Sequence, residues 1–194
     1  MISKQTIRQK IKSQRAALSL YQQKQAAHRV WQKIVNQPFF RRAQSIAFYM
    51  PVRGELDPTL LRQSAYKMGK KVYLPMIHPT EPKLLFFRHH PQTPLKENRF
   101  GILEPKPAPM SFLSPLALDI VFFPLVAFDQ KGHRLGMGKG YYDQTFQFAR
   151  QRTKPLRIGL AYGFQEVQNV PTSIRDIPLH AIFTEKDQYL FAML

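Results

Sequence analysis

Apolar residues recur at helical spacing early in the chain. Ala27, Val30, Trp31 and Ile34 share one stripe, and Ser19 with Gln22 forms a capping box in front of it. That pattern predicts a helix over 20–36, with the lone tryptophan as a core anchor. A weaker stripe through Ile7, Ile11 and Leu18 predicts a first helix over 3–18. Asp57 before Pro58 supplies an N-cap and first-turn pair for a helix running to about Met68, which Gly69 ends. Apolar runs at 45–50, 71–74, 84–87, 119–128, 157–161 and 180–184 read as strands, and 141–150 reads as helical. Strands separated by helical segments predict an α/β fold, with a mostly parallel central sheet flanked by helices.

Nine of the sixteen prolines lie between residues 75 and 115. This stretch is expected to be irregular structure wrapped over the scaffold and anchored by 84–87 and 100–103. Long ordered loops of this kind tend to be functional. The 194 residues suit one domain over 1–194, with 1–36 as helices packed on it. A chain of this size needs no disulfide or metal staple, and it contains no cysteine. The longest apolar run, 120–128, is interrupted by Pro124 and falls far short of the ~20 residues that span a bilayer. A soluble, cytoplasmic protein without membrane contact is expected.

Charge changes the picture. The formal net charge is +17, and residues 1–54 hold eleven Lys or Arg and no acid. Such a segment suits a nucleic acid, a membrane surface or a polyanionic small ligand, or it is a solvated basic face. It is also basic, acid-free and amphipathic like a transit peptide, but the capping box and the tryptophan stripe read as a folded element. His89 and His90 have no acids at metal spacing and read as loop surface.

The most informative stretch is Arg134-Leu-Gly-Met-Gly-Lys-Gly-Tyr-Tyr-Asp143, between the 119–128 strand and the 141–150 helix. Glycines at 136, 138 and 140 let the backbone approach a ligand and turn several N–H groups toward one anion. Strand, glycine loop and helix is the order that brings an anion to a helix N-terminus. The loop is not a Walker A sequence, because no Ser or Thr follows Lys139, and the glycine spacing is not that of a dinucleotide fingerprint. An ordinary turn explains Gly132 after Asp129 and can extend to Gly136; a phosphate loop explains Arg134, Gly138, Lys139, Gly140 and Asp143 together.

With Pro124-Leu-Val-Ala-Phe-Asp129 ahead of that decapeptide, the chain resembles the 5-formyltetrahydrofolate cyclo-ligase family. Further matches lie at Lys4 to Arg8, at Tyr49 with Glu55, at Phe100-Gly101-Ile102 before Glu104-Pro105, and at Asp176. The resemblance implies ATP-dependent closure of 5-formyltetrahydrofolate to 5,10-methenyltetrahydrofolate, and a scaffold akin to the sugar-phosphate isomerase and CoA-transferase group. It assigns Lys4, Gln5, Thr6, Ile7 and Arg8 to ATP, together with Arg134, Leu135, Gly136, Met137, Gly138, Lys139, Gly140, Tyr141 and Tyr142. Arg134 and Lys139 take the catalytic positions. Met50, Glu55, Phe100 and Tyr142 match folate contacts, with core packing as the other reading of Phe100 and Tyr142. Asp143 and Asp176 match the acids for Mg²⁺, and ATP is the co-substrate. The partners implied are small molecules alone, including a folate with or without a polyglutamate tail, and the protein is expected to act as a monomer.

The chain departs from many relatives at three positions: Leu125 stands for a glycine, Met137 for an arginine found in some, and His180 for a second acid after Asp176. Two other readings remain from the residues. One is a basic nucleic-acid-binding protein, though no stacking platform or nucleic-acid module is visible. The other is a different ATP-using enzyme on the same scaffold, which Glu55 and Phe100 argue against.

Overall fold

The computed structural model describes residues 3–106 and 111–192. The chain opens with α1 (Lys4–Ala16), α2 (Leu20–Val35) and α3 (Pro38–Arg42), followed by β1 (Ser45–Ala47), α4 (Thr59–Lys67), β2 (Lys71–Ile77) and β3 (Leu84–Arg88). Next come β4 (Leu95–Glu97), β5 (Leu103–Pro105), β6 (Phe112–Leu113), β7 (Ile120–Pro124), β8 (Ala127–Phe128) and β9 (Arg134–Leu135). The chain ends with α5 (Tyr141–Thr145), β10 (Leu156–Leu160), β11 (Ala181–Phe183) and β12 (Gln188–Leu190).

Among the described residues eight strands form one sheet, in the order β12-β11-β10-β7-β1-β2-β3-β6. The central pairs β11–β10, β10–β7, β7–β1 and β1–β2 are parallel, whereas β12, β3 and β6 run antiparallel at the edges. From β1 the chain winds to β2 on one side and later to β7, β10 and β11 on the other. The order therefore reverses between β1 and β7, where open α/β sheets bind ligands beyond the carboxyl ends of their strands.

Period-2 alternation builds a core on each face of this sheet. Ile120 and Phe122 of β7 join the cluster beneath α2, α3 and α4, while Val121 and Phe123 join the opposite cluster with Phe146 after α5. Phe122 stacks on Phe48 at 5.0 Å between ring centroids and meets Phe40 of α3 at 6.5 Å. Removing a ring of this kind costs about 3–5 kcal/mol.

The two predicted N-terminal helices form, and both bonds of the Ser19–Gln22 capping box are present. Trp31 stands at the margin of the core rather than at its centre, because its indole Nε1 donates to Ser64 Oγ at 2.8 Å. Ile7 and Ile11 of α1 pack against Val126, Ala127, Leu135 and Val170, a third apolar cluster beyond the end of β7.

Several expectations are corrected. The run at 119–128 is two strands, since the chain leaves the sheet at Pro124 and Ala127–Phe128 pairs with Arg134–Leu135 in a separate ribbon. The Leu125 side chain fills the space above Gly159, where an added Cβ would lie 2.7 Å from it. The helix at 141–150 is one short α-helix followed by a 3-10 turn at Gln147–Ala149. Leu103 and Phe100 are exposed and anchor nothing; Leu95 and Pro105 are the better buried positions of that proline-rich stretch. His89 is buried, in a hydrogen bond with the Tyr66 hydroxyl, and only His90 is on the surface. Part of the stretch, residues 107–110, lies outside the described residues. No helix among the described residues is long and apolar enough to cross a membrane.

Candidate functional site

The glycine loop lies just beyond β7, next to the strand-order reversal. Its hairpin is organised by Asp129, whose buried carboxylate accepts from the N–H groups of Lys131, His133 and Val170 at 3.0–3.1 Å. Those bonds hold its carboxyl below the ordinary aspartate value despite burial. Within the loop Gly138 has φ +100° and Gly140 φ +70°, a left-handed conformation that opens α5. An added Cβ at Gly138 would lie 3.2 Å from Arg8 Nη2, so the loop backbone and the Arg8 guanidinium are in close approach.

Helix α1 closes the other side. Arg8 Nε donates to the Gly136 carbonyl at 2.9 Å, and Lys4 Nζ lies 4.0 Å from Asp176 Oδ2. Lys4 and Arg8, one turn apart, therefore address two ends of the same site rather than one point. Ile7 between them faces the apolar cluster, the Thr6 hydroxyl lies 2.8 Å from Ser3 Oγ, and Gln5 is exposed. The side chain of Ile7 is thus buried in that cluster.

Arg134 is buried, with Nη2 2.7 Å from Asp143 Oδ1 and its guanidinium carbon 4.8 Å from the centre of the Phe123 ring. Among the described residues its Nε has no hydrogen-bond partner. Met137, Gly138 and Lys139 are exposed at the loop tip, and Leu135 is buried beneath it. The Tyr141 hydroxyl accepts from Arg99 Nη2 at 3.3 Å, which brings the β4–β5 turn over the start of α5. Phe100 in that turn is 39% exposed and stacked with Arg99 at 5.1 Å, which answers the core-packing reading of it. Tyr142 packs on Phe123 at 4.8 Å between centroids, half-buried at the base of the loop.

The loop after β1 supplies the opposite wall. Met50 Sδ lies 2.8 Å from Arg62 Nη1, and the Tyr49 hydroxyl donates to the Leu56 carbonyl. Glu55 is 7% exposed, with Oε2 accepting the Val52 N–H at 3.2 Å. Burial pushes its carboxyl up to about 7, against the pull of Arg15, the Val52 N–H and Arg53. Burial also raises the Tyr142 phenol, and the Glu55 charge raises it further.

The 5-formyltetrahydrofolate cyclo-ligase family matches residues 1–185 of this chain. The chain belongs to that family. It is 46% identical over 180 residues to the 5-formyltetrahydrofolate cyclo-ligase of Haemophilus influenzae, covering 92% of this chain and 96% of the relative. It is 39% identical over 176 residues to the Escherichia coli K12 enzyme of the same name, covering 90% and 96%. A 5,10-methenyltetrahydrofolate synthetase from Aquifex aeolicus superposes with a TM-score of 0.84 at 32% identity, covering 100% of this chain and 95% of that one. The synthetase from Mycoplasma pneumoniae shares the fold, with a TM-score of 0.75 at 22% identity over 95% and 99% of the two chains.

Magnesium, implied by the cyclo-ligase resemblance, fits the donor set. No group of three His, Cys, Asp or Glu among the described residues could hold a metal by itself. Asp143 and Asp176 are nonetheless brought together, because the Ile177 N–H donates to Asp143 Oδ1 at 3.0 Å. Asp176 Oδ2 accepts the Ser173 N–H at 2.7 Å. Two carboxylates are a complement Mg²⁺ accepts when phosphate oxygens and water supply the rest. His180 does not join them: its Nδ1 accepts the Arg157 N–H at 3.1 Å, and its Nε2 lies 2.8 Å from Arg157 Nη2.

The candidate site also contains a residue that sequence reasoning missed. Arg15 is buried beside Glu55, with Nη1 3.9 Å from Glu55 Oε1 and Nη2 donating to the Leu125 carbonyl. A signal was present: Arg15 continues the Ile7–Ile11 stripe at four-residue spacing, a charge on the apolar face of a helix.

Proposed function

We propose that this protein closes 5-formyltetrahydrofolate to 5,10-methenyltetrahydrofolate while converting ATP to ADP and phosphate. Family membership supports the reaction. The observation that carries it to these residues is the convergence of Arg8 and Arg134 on one glycine loop, with Lys4 at Asp176 and a buried acid, Glu55, in the loop after β1.

In this reading the triphosphate lies along Gly136 to Gly140, with Arg8, Lys139 and Arg134 as its cations. Met50, Glu55, Phe100 and Tyr142 hold the folate, with the Glu55 carboxylate accepting N–H groups of the pterin ring. A formamide oxygen is a poor leaving group. The γ-phosphoryl group moves from ATP to that oxygen, and ADP departs. The N10 lone pair then attacks the activated formyl carbon, N10 loses its proton, and phosphate leaves with the oxygen. The protein has little covalent work to do: it aligns oxygen with phosphorus and neutralises developing charge. Asp143 and Asp176 would hold Mg²⁺, which supplies further neutralisation of the phosphate oxygens.

The same reading assigns the scaffold to the sugar-phosphate isomerase and CoA-transferase group, supported by the five parallel strands and the loop beyond β7. In the same reading the protein acts as a monomer in the cytoplasm.

The test is to mix the protein with 5-formyltetrahydrofolate and MgATP and follow the near-ultraviolet band of the methenyl product. Growth of that band, abolished when ATP is omitted, is the expected result. A flat trace from folded protein that binds ATP would overturn the substrate assignment.

A further inference from the structure

We infer that Arg15 is the positioning residue of the folate side of the site, holding the Glu55 carboxylate charged and turned toward the pterin ring. The inference rests on the reading above that Glu55 receives that ring.

Arg15 and Glu55 are 2% and 7% exposed, and each is the nearest opposite charge the other has. A buried charge without a partner is costly, so neither side chain is explained alone. Their geometry goes beyond simple pairing. At 3.9 Å, Arg15 Nη1 is too far from Glu55 Oε1 for a hydrogen bond. Glu55 Oε2 is taken by the Val52 N–H, whereas Oε1 has no donor among the described residues. The carboxylate is held at one oxygen, faced by a cation, and left with one oxygen to accept from a ligand.

Arg15 is itself fixed from outside the pair. Its Nη2 donates to the carbonyl of Leu125, where the chain leaves the sheet toward the glycine loop. Gly54, at φ +71°, lies against the Arg15 main chain, and Arg53 before it has φ +50°. That is a strained value for a side chain with a Cβ, and the loop accepts it to bring Glu55 against α1. One helix therefore offers Lys4 to Asp176, Arg8 to the glycine loop and Arg15 to Glu55.

The groups facing Glu55 are few. Arg15 approaches from α1, Arg53 from its own loop, Tyr49 from the end of β1, Tyr142 from α5 and Tyr162 from the end of β10. Burial raises all three phenols, so they are neutral wherever the protein is active. Arg15 and Arg53 are the cations, and Arg15 is the buried one. Burial pushes the Glu55 carboxyl up to about 7 against the pull of Arg15, and loss of that cation raises it further.

The experiment measures kcat/KM for 5-formyltetrahydrofolate from pH 6 to 9, at saturating MgATP, in wild type, Arg15→Gln and Arg15→Lys. In Arg15→Gln the acidic limb moves up by about one unit or more, so activity at pH 7 falls roughly fivefold or more and returns toward wild type by pH 9. The loss falls on KM for the folate, with KM for ATP unchanged. Arg15→Lys keeps the charge, so its limb stays near that of wild type while its KM for the folate rises. A loss equal at every pH, or one in KM for ATP, would leave Arg15 a structural residue only and overturn the inference. If Arg15→Gln does not fold, Arg15→Lys decides: an unchanged KM for the folate, or a limb displaced upward despite the retained charge, also overturns it. No turnover by wild type would instead sink the assigned reaction, and this inference with it.

Discussion

Arg134 and Asp143 are joined by a hydrogen-bonded ion pair of 2.7 Å across the glycine loop. The cation suited to phosphate and the carboxylate suited to Mg²⁺ thus neutralise one another at the end of α5. Asp143 also accepts the Ile177 N–H, which ties this pair to the loop carrying Asp176. A metal–triphosphate complex entering here would offer Asp143 a cation and Arg134 an anion in one step. The ion pair compensates the buried Arg134 charge.

Lys139 stands apart from that pair, exposed at the loop tip. Lys139→Ala is expected to lower kcat by about 10²–10³, the scale of losing one charge-stabilising donor. Its melting temperature should match wild type, because the side chain is not part of the core. Steady-state rates and a thermal melt on one preparation check both, and near-normal turnover would remove Lys139 from the catalytic role.

Gly138→Ala tests the backbone rather than a charge. The new Cβ would meet Arg8 Nη2 at 3.2 Å, and φ +100° is strained for alanine. A stability loss of about 1–2 kcal/mol is expected. KM for ATP should rise about tenfold, with KM for the folate little changed. Thermal melts and KM for each substrate give the two readouts.

His180 makes the fold sensitive to acid. Its folded pKa is lowered to about 4, first by burial and then by the Arg157 charge. The folded state resists protonation that the unfolded chain accepts near 6.5, so the stability His180 contributes is present above 6.5 and is lost as pH falls toward 4. His89, also lowered to about 4 by burial, acts in the same sense. His180→Gln should melt less steeply with falling pH than wild type over that window. Parallel curves in the two proteins would remove His180 from the acid response.

Some of this was legible in the residues and some was not, for identifiable reasons. Helices α1 and α2 follow from local signals, a stripe and a capping box, which need no distant partner. The antiparallel course of β3 has no such signal: the apolar run at 84–87 reads the same in either direction, and its pairing with β2 settles the direction. The break after Pro124 was hidden because both halves of the run are apolar and buried, on different sheets. Helix α3 was missed because five residues are too few to show a helical period.

The candidate site divides the same way. Sequence alone determined the glycine loop with its cation and acid, because Gly138 and Gly140 encode a backbone conformation locally and the decapeptide is contiguous. It also determined the family, since the matching motifs run in order along nearly the whole chain. Only the tertiary structure decided that Lys4 meets Asp176, that Arg134 is already paired with Asp143, and that Arg15 lies buried against Glu55. Those are contacts between distant segments, and the buried charges of Arg15, Glu55 and Arg134 are tolerated only where folding brings the opposite sign alongside. No local pattern records that meeting, because the desolvation that makes it consequential exists only once the sheet and its helices have closed over it.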